Sequence, residues 1–172
     1  MQRLRSILIS LALVTLATPV FSQTMESNRA GAPRVNLVSA NPIGLLFQWY
    51  NAEFEHALNP TASLAVAGTR FGFDHFNYTA VDGIVRYYPS GRAIQGFSIG
   101  GSVGFVNASE DNCNRCDTGS GATVGVRGDY VWILGRDQRF AAAAGIGAKR
   151  IFVQNVGNTG LPIARLSIGW AW

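Results

Sequence analysis

The segment "NAEFEHAL" sets Glu53, Glu55 and His56 within four positions of one another. Neighbouring carboxylates and a histidine are the material of general acid–base chemistry or of a nucleophilic dyad. A histidine–serine hydrolase would place a serine close to one of the histidines. His56 is followed by Ala57 and Leu58, and His75 by Phe76 and Asn77, so neither has a serine two residues on. In an extended chain Glu53 and Glu55 share one face and His56 takes the other. The remaining candidates for buried charge are Asp82 and Asp129 as acids, with Arg86, Arg127, Lys149 and Arg165 as cations. "CNRC" gives Cys113-x-x-Cys116 in a polar insert. In an exported chain two such cysteines predict a small disulfide clasp. Zinc would require two further ligands, and none lies nearby. A thioredoxin-type motif would require a helical context that the sequence lacks. "GIGAK" (145–149) imitates part of a phosphate loop without its later glycine or its strand-to-helix setting, and no cofactor is expected.

The N-terminus bears on compartment. "MQRLRSILISLALVTLATPVFSQ" carries Arg3 and Arg5, an apolar run from Ile7 to about Ala17, then Pro19 and the small Ser22. This is the form of a secretory signal peptide over residues 1–22. Residues 23–34 have no periodicity and read as a flexible lead-in, leaving one domain over 35–172. The formal charge of +4 falls by two with the leader, too mild a balance to argue for nucleic acid. The chain is 48% hydrophobic and 14% charged, with 20 glycines. Soluble domains average about 25% charged residues. Beyond the leader no run is long and apolar enough for a spanning helix. An exported, greasy, glycine-rich chain of this kind predicts a β-barrel.

Eight strand-like stretches follow, divided by turn signals. They run Val35–Phe47, Trp49–Leu58, Thr61–Phe71, Tyr78–Tyr88, Gln95–Asn107, Ala122–Leu134, Arg139–Lys149 and Pro162–Trp172. Pro42 leaves the register of the first open. "NPTA", "PSGR" and "GRDQ" read as tight turns at one end, and the inserts after the fifth and seventh strands as longer loops at the other. Within strands one parity is bulky and apolar, as in Phe97, Ile99, Val103 and Phe105. The other is mostly Gly, Ser and Ala with occasional charges. A water-facing exterior would be crowded with Lys, Glu, Asp and Gln. The small parity instead suits the inside of a narrow barrel and the apolar parity suits lipid. Glu53, Glu55, Asp82, Arg86, Arg127, Asp129, Lys149 and Arg165 then point inward, four charges of each sign. A balanced, ion-paired plug is the physically sensible arrangement, since an unpaired buried charge is costly. Tyr87, Phe97, Trp132, Phe140, Trp170 and Trp172 fall near one set of strand ends, and Tyr50, Phe71 and Phe105 near the other. This predicts two interfacial aromatic girdles.

The pattern resembles small eight-stranded outer-membrane barrels of the OmpA/OmpX type. The stretch "VNLVSANPIGLLFQWYNAEFEHALNPTASL" resembles a family of uncharacterised bacterial barrels. In that family an Asn-Pro-hydrophobic-Gly strand precedes a glutamate-bearing strand, here with Glu53 and Glu55. The resemblance implies an outer-membrane location and no activity. The ending "RLSIGWAW", with Leu166, Ile168, Trp170 and Trp172 alternating, resembles the signal read by the barrel-assembly machinery, with Trp in place of the usual final Phe. The expectation is therefore an all-β, antiparallel up-and-down transmembrane barrel of the bacterial outer membrane. Its role would be structural or surface-interacting. Its partners would be outer-membrane lipids, the assembly machinery during biogenesis and possible extracellular ligands. The alternatives are a lipid A deacylase-like barrel enzyme and a soluble periplasmic lipocalin-like binder.

Overall fold

The computed structural model describes residues 33–73, 76–110, 119–153 and 157–172. The leader, most of the lead-in, His75, Cys113 and Cys116 lie outside them. Eight antiparallel strands form one closed barrel in sequence order. They are β1 (Asn36–Ala40), β2 (Trp49–Asn59), β3 (Ala62–Phe73), β4 (Phe76–Tyr87), β5 (Gly96–Glu110), β6 (Gly119–Leu134), β7 (Phe140–Val153) and β8 (Gly157–Ala171). β1 closes the ring against β8 through four residue pairs, Leu37↔Ala171 to Ala40↔Ile168. The rim at which β1 begins and β8 finishes is called the lower rim below.

Side chains alternate as strand geometry requires. Val103, Val126 and Ile168 are exposed on the outside, while their neighbours Ser102, Gly125 and Ser167 are buried within. Register explains how a narrow barrel holds long charged side chains. Arg86 sits opposite Gly100, Arg127 opposite Gly100 and Gly147, and Lys149 opposite Gly125. Asp82 sits opposite Gly104, and Asp129 and Arg165 opposite Gly145. Each long side chain reaches into space that its cross-strand neighbour leaves empty.

Several expectations need correction. The first strand stops at Ala40 rather than Phe47. Pro42 has no N–H to offer a ladder. The Asn41 carboxamide oxygen accepts from the backbone N–H groups of Ile43 and Gly44 at 3.1 and 3.0 Å, turning the chain into a 3-10 helix over Gly44–Phe47. Strands β5 to β8 extend past their expected upper limits, so Pro162 lies inside β8 rather than opening it. The lengths of the connections consequently do not alternate short and long.

"PSGR" is not a tight turn either. Residues 88–95 form an eight-residue segment that folds back into the lower rim. The Tyr88 N–H donates to Thr61 O at 2.7 Å, and Tyr88 and Ile94 are fully buried. Ile94 takes φ 69°, a backbone region that β-branched residues avoid. It packs with Leu37, Val131, Ala141, Ala143 and Ala171, and this apolar cluster caps the lower rim.

The aromatic expectation holds at the lower rim, where Tyr87, Phe97, Trp132, Phe140, Trp170 and Trp172 are all outward and exposed. At the upper rim Tyr50 and Phe105 are exposed, joined by Phe152. Phe71 has the inward parity of β3 and meets Trp49 edge-on, with ring centroids 6.4 Å apart. It belongs to the upper mouth of the lumen, not to the outer girdle.

Candidate functional site

The lumen carries the chemistry, and its hub is Arg86. Its side chain is fully buried and its guanidinium fork meets three carboxylates. Nη2 lies 2.8 Å from Glu53, Nη1 2.9 Å from Glu55 and Nε 3.1 Å from Asp129. Arginine suits this place because its donors are fixed in one plane and stay charged. Arg127 contacts Asp129 at 2.8 Å and Glu53 at 3.6 Å. Arg165 donates through Nη2 to Glu53 at 2.6 Å and to Ser39 at 3.3 Å. Three arginines and three carboxylates thus form one continuous network drawn from β2, β4, β6 and β8. Nearer the upper rim, Lys149 pairs with Asp82 at 2.5 Å, and Thr123 donates to the same carboxylate at 3.1 Å.

All eight charged residues singled out from sequence lie in the lumen, in these two groups. Sequence reasoning missed the neutral partners. Glu55 also accepts hydrogen bonds from Ser63 and Tyr88. Ser63 was within reach, since it has the inward parity of β3. Tyr88 was within reach too, since it ends the expected fourth strand on the inward parity of Asp82 and Arg86. His56 lies on the outer face, its Nδ1 2.8 Å from the Asn36 side-chain oxygen. The barrel wall therefore separates it from the lumen carboxylates. Among the described residues no group of His, Cys, Asp and Glu could hold a metal. Leu166, Ile168, Trp170 and Trp172 form the outer face of the final strand and its end.

The glycines opposite the aspartates are not spare. A Cβ at position 145 would stand 2.0 Å from Asp129 Oδ1 and 2.8 Å from Gly128 O. Gly145→Ala is expected to destabilise by about 1–3 kcal/mol through overpacking of the lumen. Gly68 has open space where its Cβ would be, and Gly68→Ala should stay within about 0.5 kcal/mol of wild type. Urea unfolding of the two variants in detergent micelles measures the contrast.

Above the network the lumen opens into a cavity of about 520 Å³. Polar residues such as Asn51, Thr69 and Tyr78 line its inner wall.

The crystal structure of the N-terminal β-barrel domain of Pseudomonas aeruginosa OprF superposes with a TM-score of 0.52 at 16% sequence identity. The match covers 81% of this chain and 98% of that one. This chain shares that fold. No protein-family model and no curated sequence matches it. The likeness is one of fold, in the eight-stranded architecture.

Proposed function

We propose that the chain is a bacterial outer-membrane β-barrel whose lumen is plugged by its ion-paired network, with a structural or surface-interacting role and no catalytic one. The observation that carries this reading is the inside-out distribution of polarity. Val103, Phe105, Val126 and Ile146 are between 64% and 76% exposed on the outer wall, while Arg86, Glu55 and Asp129 are buried within. An apolar surface continuous around a barrel is an interaction surface, and lipid is the partner that its alternation fits. β5 to β8 have 14–16 residues each, more than the roughly 9–11 that a tilted strand needs to span a bilayer. A soluble ligand-binding barrel would carry the opposite polarity. A deacylase-like enzyme would need a histidine beside its carboxylates; among the described residues the one histidine, His56, is separated from the lumen carboxylates by the wall.

The plug has a direct electrical test. An eight-stranded barrel leaves an interior that side chains can fill, and the apolar cluster around Ile94 closes the lower rim. The full-length protein should sediment with outer membranes and show heat-modifiable gel mobility. In planar bilayers it should give no large, steady conductance. Release into a detergent-free periplasmic fraction would overturn the location, and a steady open channel would overturn the plug.

A further inference from the structure

We propose that the barrel wall is open sideways between β1 and the upper half of β8, and that this opening binds a long-chain acyl ester. Its chain would lie across the β8 edge and an ester oxygen would accept a hydrogen bond from Arg165. The idea rests on the outer-membrane reading above, because lipid must reach the outer face.

The opening follows from the Asn41–Pro42 turn. β1 leaves the wall after Ala40, so its ladder with β8 ends at Ala40↔Ile168. β8 continues upward, paired with β7 as far as Gly157. Among the described residues no strand pairs with its other edge over 160–167. That is eight residues, or roughly 26 Å of strand. Pro162 sits within this run, and proline inside a sheet is confined to edges and bulges. Its presence marks the upper part of β8 as an edge.

The cavity shows that the gap is a passage. It is lined by Leu161 to Leu166 consecutively. Successive residues of a strand face opposite sides. A cavity that touches all of them wraps around the strand's free edge and joins the lumen to the outer wall. Its outer limb runs over Ile146, Pro162, Ala164 and Leu166, which are apolar. Its inner limb reaches Arg165 and, at the mouth, Trp49 and Asn41. The volume of about 520 Å³ falls in the usual range for small-molecule sites, about 300–1,000 Å³.

The head-group chemistry comes from the inner limb. The Arg165 side chain is 7% exposed. Its Nη1 is buried without a hydrogen-bond partner and stands 3.8 Å from Asp129 Oδ1, beyond hydrogen-bond reach. Buried donors are nearly always satisfied; Nη1 itself has almost no accessible surface, so an acceptor oxygen in the cavity gains this bond when the guanidinium turns from Asp129 toward the cavity that Arg165 lines. The formal charges lining the cavity cancel: Arg127, Lys149 and Arg165 against Glu53, Asp82 and Asp129. A neutral acceptor therefore fits better than an ion of either sign. An acyl ester offers that oxygen at the end of an apolar chain.

Trp49 is a reporter inside the mouth. Trp132, Trp170 and Trp172 are changed to Phe, leaving it as the single tryptophan of the full chain. This protein is placed in nanodiscs of unbrominated phospholipid and titrated with a monoacylglycerol brominated along its chain. Saturable quenching of Trp49 is expected. Ala164→Phe fills the outer limb from the outward face without entering the lumen, and should reduce quenching at least fivefold. Val81→Phe, outward on β4, should leave it unchanged. Both variants are scored only after heat-modifiable mobility shows that they are folded. A brominated alkyltrimethylammonium, which offers no acceptor, should quench at least fivefold less at equal concentration. Quenching that does not saturate, or that Ala164→Phe leaves intact, would overturn the lateral site. Equal quenching by the cation would overturn the acceptor role of the head group. Failure of the protein to insert into nanodiscs at all would instead strike the outer-membrane reading, which separates the two ideas.

Discussion

Arg86→Met is expected to cost about 3–5 kcal/mol of unfolding free energy, the usual consequence of removing one partner from a buried ion pair. Arg86 is fully buried and contacts Glu53, Glu55 and Asp129 at once. Glu53 and Asp129 keep Arg127 and Arg165 as neighbours when it is lost. Among the described residues Glu55 has no other cation, so it is left as a buried charge held only by Ser63 and Tyr88. Adding Glu55→Gln removes that charge while keeping an acceptor for both hydroxyls. The double variant should therefore recover part of the loss. Arg86→Lys should not rescue, since one ammonium cannot reproduce a fork that meets three carboxylates. Urea unfolding in detergent micelles, read by the gel shift between folded and unfolded forms, measures all three. An Arg86→Met barrel as stable as wild type would mean that the network contributes nothing to holding the lumen together.

Val126→Arg tests the outer wall and should be nearly as damaging. Val126 lies in the middle of β6, paired with Gly101 and Ala148, and 66% of it is exposed outside the barrel. Arginine on the lipid face near the bilayer midplane costs about 2–4 kcal/mol, falling toward zero near the interfaces. The penalty should appear in liposomes as a lowered unfolding midpoint. Single cysteines check facing without the bulk of arginine. A fluorophore on position 103 or 168 should be quenched by a lipid-soluble quencher far more than one on 102 or 167. Position 125 is a poor inward probe, because a Cβ there would stand 2.8 Å from Ser102 Oγ. Quenching that favours 102 and 167 would mean that the apolar face is not in lipid.

The division between sequence and fold is plain in particular elements. Alternation along β5, β6 and β7 reads directly from sequence, because a strand's side chains must alternate. The barrel class and the inward set of eight charges follow from that parity alone. Which charge meets which does not follow. Glu53 and Arg86 are 33 positions apart, and Glu53 and Arg165 are 112 apart. Their contacts depend on the stagger between strands that are not neighbours in the wall. Arg86 gave no sign of being the hub, since parity treats it as it treats Arg127. Phe71 was misplaced for a related reason. Aromatic type and position near a strand end fit a girdle, but its parity turns it inward onto Trp49.

The sequence by itself determined the number of strands, the face each side chain takes and the pattern of bulky outside against small inside. All of these are set by local periodicity and by residue size. Only the tertiary structure decided that residues 88–95 fold back to bury Ile94. That depends on a mouth built from β1, β6, β7 and β8. Only the tertiary structure, too, showed that ending β1 at Asn41–Pro42 leaves an edge of β8 uncovered. A turn is written in the few residues that make it. What the turn exposes lies on a strand more than a hundred residues away, and only closure of the barrel brings the two side by side.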